Sequence, residues 1–216
     1  MRRYHCLILL FVAVAANGQP AVSTKTGDSS LVSTQKTILN FINISMQDTI
    51  ADIGTGAGYN LVPIANAYPT MHFTAEDIDS NYCNRKKLLQ QIRANGNNTS
   101  IENFDIRYGT ETSTNLPPAA YSKVLAFDVL HEMSAKSLML ADIRRILQPG
   151  GSVYIEEILV HKKAKKERAC NYPYLTEQEF KEILEDNHYL VKKEQLVFDS
   201  GHNKYIKIFE CVPVLP

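Results

Sequence analysis

The 216-residue sequence has no excess of either charge: 23 Lys and Arg stand against 23 Asp and Glu. Without a positive excess there is no global field to hold a phosphate backbone, which argues against a nucleic-acid partner. Ten glycines and nine prolines are too few for a fibrous or low-complexity chain, and four cysteines are too few for a disulfide scaffold. No two cysteines have the CxxC spacing of a zinc or redox site. Internal repeats and domain linkers are also missing. Long apolar runs are absent except at residues 6–16, and that run is about half of the roughly 20 residues a membrane-spanning helix needs. What is present, 44% hydrophobic and 21% charged residues, suits a globular chain with a real core. The length fits one α/β domain.

The run at 6–16 follows Arg2 and Arg3 and leads into Ala13, Ala15, Ala16 and Gly18. Charged, apolar, then small is the order of a secretory signal peptide, with cleavage after Ala15 or Gly18. Residues 1–18 are read as a leader and the protein as exported, periplasmic or secreted, with no stable membrane span after cleavage; an unused leader would leave it in the cytoplasm. Cleavage removes two arginines and no acid, so the mature chain is slightly acidic. Residues 19–33 are polar without periodicity and read as a flexible lead-in, with residues 34–216 forming a single domain. Of the remaining cysteines Cys83, Cys170 and Cys211, buried reduced thiols are expected ahead of a disulfide with one thiol left over.

Strand and helix patterns then alternate. Strands are expected at 49–53, 71–77, 101–107, 123–127 and 153–158, with helices at 81–94, 137–147 and 176–187, the last opened by a capping box from Thr176 to Glu179. Such alternation predicts parallel βαβ units. Two extended runs at 190–198 and 205–211, joined by a short polar loop, predict an antiparallel C-terminal hairpin.

The most informative stretch is Asp52-Ile-Gly54-Thr55-Gly56-Ala-Gly58. Glycines between a buried strand and a helix allow a sharp turn and close approach of a ligand to the backbone. The dinucleotide spacing GxGxxG would put its third glycine at Tyr59, and no Gly-Lys-Ser/Thr follows, so a triphosphate loop is excluded there. Asp52 would repel a pyrophosphate but can hold an ammonium group. Asp77 closes the next strand about 20 residues on, where an acid accepts from ribose hydroxyls in doubly wound folds. An amine at one end and a ribose at the other point to S-adenosylmethionine.

On these residues, with Asp128-Val-Leu-His131-Glu132 and Leu147-Gln-Pro149-Gly150-Gly151, the chain resembles the class I S-adenosylmethionine-dependent methyltransferases, in particular the small type that carries an export signal. The resemblance covers about residues 36–212. It implies a Rossmann-like, doubly wound, mostly parallel seven-stranded sheet with an antiparallel C-terminal strand. It also implies cofactor contacts at Asp52, Gly54, Thr55, Gly56, Gly58, Tyr59, Asp77, Ile78 and Asp128. Where many members have Gly-Asp-Ala after the third strand, this chain has Gly109-Thr110-Glu111, which makes Glu111 the adenine candidate.

Methyl transfer from a sulfonium needs an acceptor held in line, and a base only if the acceptor must lose a proton. His131 has the pKa range for that work, Asp128 either faces the pocket or orients His131, and neither site needs a metal. Glu156 and Glu157 cannot both face one site on a regular strand. The basic run at 162–168 sits where acceptors enter, and residues 170–174 are candidates for the acceptor wall. Three readings are open at this point: a small-molecule methyltransferase, an exported adenosyl-ligand binder of the same fold, and an NAD-dependent oxidoreductase, disfavoured by Asp52 and Tyr59.

Overall fold

A computed structural model describes residues 28–163 and 173–214. The leader, the first part of the lead-in, and Cys170 with most of the basic run lie outside them. Seven strands form one sheet in the order β3-β2-β1-β4-β5-β7-β6. They are β1 (Ile50–Ile53), β2 (Phe73–Asp77), β3 (Phe104–Tyr108), β4 (Tyr121–Phe127), β5 (Leu147–Val160), β6 (Tyr189–Asp199) and β7 (Lys204–Pro213). The first five pair in parallel. β7 runs antiparallel to both β5 and β6, as the hairpin pattern predicts.

Period-two alternation assigns each strand residue to a face. Ala51, Val124, Ala126, Val153, Ile155 and Phe209 pack with α4 (Lys136–Ile146) and α5 (Glu177–Asp186). Ile50, Phe73, Ala75, Leu125, Tyr154 and Ile208 pack on the other face with α1 (Asp28–Ile42), α2 (Leu61–Ala67) and α3 (Arg85–Ala94). Burial on both faces is why the central strands read as continuous apolar runs. Among the described residues no helix is long and apolar enough to cross a membrane.

Several boundaries differ from the sequence reading for local reasons. α1 starts at Asp28, inside the expected lead-in. α3 starts at Arg85 rather than near residue 81, because Asn84 Oδ1 accepts from Lys87 N at 3.1 Å and fixes the N-cap there. Residues 78–84 are thereby freed as a loop beside the glycines. β3 is preceded by a 3₁₀ turn, Ile101–Asn103, capped by Ser100. β5 begins directly after α4: Leu147 pairs with Tyr121, and Pro149, Gly150 and Gly151 lie where the register shifts before Ser152 pairs with Lys123. The Thr176–Glu179 capping box forms as read. Cys83 and Cys211 are buried free thiols.

Candidate active site

The site lies at the carboxyl ends of β1, β2, β4 and β5, where open α/β sheets bind ligands. Its floor is the loop after β1. Thr55 locks that loop from both sides, its N–H donating to the Glu76 carbonyl at 2.9 Å and its hydroxyl to the Asp52 carbonyl at 2.9 Å. Gly54 has φ +72°, and a Cβ there would lie 2.4 Å from Val129; Gly58 has φ +89°, and a Cβ would lie 2.5 Å from Leu88. At these two positions glycine is required by the left-handed backbone and by close packing of the chain against itself. Gly56 is also left-handed, at φ +56°, but the group beside it is the half-buried Tyr82 ring, 3.0 Å from the position a Cβ would take. α2 is only two turns long and carries Pro63 in its first turn, which removes a donor. The short, proline-interrupted start of α2 offers few free N–H groups, so the glycine loop is the main source of backbone donors at this end of the sheet.

Asp77 ties the floor to the second wall. Its Oδ2 accepts from Gly56 N at 2.8 Å and its Oδ1 from Asp79 N at 2.8 Å. Asp52, paired with Ala75 in the ladder, shares the sheet face of Asp77. Burial lifts the Asp52 carboxyl to about 7, against hydrogen bonding from Thr55 and with a smaller contribution from Asp77. Glu76 faces the other side and is lifted to about 8, first by burial and then by Asp77. Glu76 Oε1 has no hydrogen-bond partner, and a Cβ on Gly109 would meet it at 2.1 Å. Tyr59 and Ile78 are exposed, 48% and 37%, and flank the floor as apolar walls. Glu111 is also exposed and accepts from Ser134 Oγ at 2.7 Å, joining the loop after β3 to the loop after β4.

The turn after β4 carries the second group. Asp128 sits at φ +54°, a left-handed conformation held by its N–H donating to the Glu156 carbonyl at 2.8 Å. His131 Nδ1 lies 2.6 Å from Glu157 Oε1, and the His131 backbone N–H donates to Glu157 Oε2 at 3.2 Å. Its ring is 0% exposed, with Tyr174 packed against it at 5.4 Å between centroids. His131 Nε2 and Asp128 Oδ1 are buried without hydrogen-bond partners. Burial presses the imidazole toward neutrality, but Glu157, Asp128 and Glu132 outweigh it and lift the ring to about 9. Asp128 is raised to about 8 by burial and then by Glu157. Glu156, also at about 8 through burial, faces away from Glu157, as strand alternation requires.

Asp128, His131 and Glu157 offer ligand atoms within 4.8 Å of one another. The 2.6 Å separation of Nδ1 and Oε1 is that of a hydrogen bond, shorter than the roughly 3 Å between neighbouring ligands around an ion held at about 2.1 Å. The geometry is therefore that of a carboxylate-oriented histidine. Of the basic run, Lys163 pairs with Glu179, Lys162 N donates to Asn203 Oδ1 at 3.0 Å, and residues 164–172 lie outside the described residues. A separate open cavity of about 500 Å³, lined by Asp48, His72, Thr74 and Tyr121 among others, lies at the opposite ends of the strands, away from the glycine loop.

The buried acids fix the sign of the pH dependence. Carboxyls held at about 7 to 8 in the folded chain stay protonated where unfolded carboxyls ionise, so their stabilisation is complete below the ordinary values of 3.8 and 4.5. It is lost as pH rises through 7 to 8. His131, raised from 6.5, acts in the same sense: its contribution is full below 6.5 and lost through about 9. Ion-paired acids such as Glu177, lowered to about 2, titrate below this window. The ligand-free protein is expected to melt lower at pH 8.5 than at pH 5.5, by about 2–4 °C for each kcal/mol. A melting temperature flat or rising across that interval contradicts the assignment.

Comparison with known proteins agrees with this layout. A family model described as a methyltransferase domain matches residues 51–153, from β1 into β5, and takes in the glycine loop, Asp77 and the Asp128–Glu132 turn. A crystal structure of an S-adenosylmethionine-dependent methyltransferase from Aquifex aeolicus is similar at TM-score 0.65 and 19% identity, over 83% of this chain and 89% of that one. One from Methanosarcina mazei is similar at 0.64 and 17%, over 83% and 98%. The [4+2]-cyclase SpnF is similar at 0.68 and 13%, over 93% and 86%. No curated protein sequence matches. At these identities the solved structures establish the fold, which is the Rossmann-like methyltransferase fold.

Proposed function

We propose that the protein transfers a methyl group from S-adenosylmethionine to a small-molecule acceptor. The observation that carries this reading is the bridge Asp77 makes between Gly56 N and Asp79 N. It holds one carboxylate, with lone pairs to spare, between the glycine floor and the loop after β2, where ribose hydroxyls can donate. The donor set fits the cofactor. Asp52 offers a carboxylate to an ammonium group, Gly54, Thr55, Gly56 and Gly58 form the floor, Tyr59 and Ile78 give apolar flanks, and Glu111 stands in the loop assigned to adenine. Burial lifts the Asp52 carboxyl to about 7, and a cationic ligand beside it would supply a counter-charge.

When bound, the cofactor supplies an electrophilic methyl group on a sulfonium. The chain's own residues hold the acceptor in line, exclude water and take its proton. Glu157 fixes Nδ1 of His131, so Nε2 is the atom that exchanges protons, and it can accept one only after the ring, held at about 9, has lost its own. An unpaired buried nitrogen is costly, by about 1–3 kcal/mol, unless a partner arrives. Asp128 and His131 face one another, so their titrations are linked. The test of the binding reading is a thermal-shift series with S-adenosylmethionine, S-adenosylhomocysteine and NAD, in which the two adenosyl thio-compounds stabilise and NAD does not. Failure of both to stabilise removes the reading.

A further inference from the structure

One buried acid beside the site takes no part in the transfer chemistry. Glu76, on β2 directly before Asp77, is 1% exposed and faces away from Asp77, under the loop that follows β3. Its backbone carbonyl accepts from Thr55 N–H at 2.9 Å, and its carboxyl accepts from the Gly54 N–H. The other carboxyl oxygen, Oε1, is buried without a partner. It is turned toward Gly109, where the position a Cβ would take lies 2.1 Å from Oε1 and 2.7 Å from the Ser113 carbonyl oxygen. Glycine is needed there because two acceptors share the space a side chain would fill. The Ser113 carbonyl also closes the loop, accepting from Thr110 N–H at 2.7 Å.

Two buried acceptors side by side are satisfied only if one of them carries a proton, and of a carbonyl and a carboxyl only the carboxyl can. The surrounding charges act in the same sense. After burial, Asp77 on the same strand raises the Glu76 carboxyl, the Gly54 bond opposes it, and Asp52 on β1 and Asp142 on α4 add to the rise, to about 8. Asp142 is itself held by Arg145 and by Thr114 N–H, each at 2.8 Å. Arg107 stands opposite Glu76 in the β2–β3 ladder, but its guanidinium is taken by Asp105 at 2.8 Å. Resting on the cofactor reading above, we propose that Glu76 is a positioning residue that works as the neutral acid. One of its oxygens accepts from Gly54 N–H, the other donates to the Ser113 carbonyl, and the side chain thereby sets the spacing between the glycine floor and the loop that carries Glu111. Ionisation removes the donor and sets a carboxylate against a carbonyl, so the loop after β3 moves off and the cofactor is held less tightly. Binding then favours the protonated form: the contribution of Glu76 is full at low pH and is lost as pH rises through its titration.

The test is calorimetric titration of the full chain with S-adenosylhomocysteine at pH 6.5 and pH 8.5, for the wild type and for Glu76→Gln. The amide keeps an acceptor oxygen for Gly54 and a donor for Ser113 but cannot ionise. The two proteins are expected to bind within about twofold of each other at pH 6.5, and the wild type about threefold or more the weaker at pH 8.5. Asp52 and the ligand's own amine titrate in both proteins, so the difference between the two belongs to Glu76. Should the variant not fold, the carboxyl carbon of Glu76 in isotope-labelled wild type reads the same linkage by NMR, its titration midpoint rising when S-adenosylhomocysteine binds. The same pH dependence in both proteins, a tenfold weaker folded variant at pH 6.5, or a midpoint that binding does not raise overturns the role of Glu76 and leaves the cofactor reading standing. No binding of S-adenosylhomocysteine by the wild type at either pH removes both.

Discussion

Asp77→Ala is expected to weaken S-adenosylmethionine binding by about 100-fold, which is near 2.7 kcal/mol. Two backbone donors, Gly56 N–H and Asp79 N–H, lose their acceptor at once. Hydrogen bonds to a charged group contribute about 1.5–3 kcal/mol each, and part of that loss falls on the loop itself, so the melting temperature should drop too. Asp77→Asn separates the two effects. The amide keeps one acceptor oxygen for one of the two N–H groups but sets its NH2 against the other and loses the negative charge, so it should lower the melting temperature less than Asp77→Ala while still binding about tenfold more weakly. Affinity unchanged in both variants, measured by calorimetry, would refute the role given to Asp77.

Replacement of Glu157 by Gln is expected to move the titration of His131 from about 9 toward the ordinary 6.5, because Glu157 is the strongest of the groups that lift it. The His131 ring protons report this directly by NMR, without any acceptor. With an accepted substrate, turnover of the wild type should rise with pH through the cluster's titration, and the Glu157→Gln profile should rise at lower pH. His131→Gln should lower kcat about 10²-fold or more while leaving cofactor affinity alone. A packing role for His131 would reduce stability without shifting any pH profile. Identical profiles for the wild type and Glu157→Gln would therefore assign His131 to packing.

Local pattern was enough for the sheet. Short apolar runs at 49–53, 123–127 and 153–158 found buried central strands, the polar loop at 199–204 found the hairpin, and Thr176 with Glu179 found the start of α5. The glycine spacing with Asp52 and Asp77 found the floor of the site and its acid wall. What escaped depended on contacts between distant segments. Gly54 and Gly58 invite a reading as ligand clearance, yet Val129 and Leu88 occupy the space beside them. Tyr82 was hidden inside an expected helix, although Asn84 three residues before Lys87 is the kind of N-cap that would have moved the helix start. Glu76, directly before Asp77, had to face the opposite side of the sheet by alternation alone, and its burial follows from packing under the loop after β3. The pairing of His131 with Glu157 spans 26 residues and two elements, so sequence named both partners but not their bond.

The cofactor that the glycine loop, Asp52 and Asp77 accept is decided by one ligand-binding measurement. Calorimetric titration of the full chain with S-adenosylmethionine, S-adenosylhomocysteine and NAD is predicted to give one-to-one binding of the first two and none of the third. Saturable binding of NAD, or no heat from either adenosyl thio-compound, would contradict it.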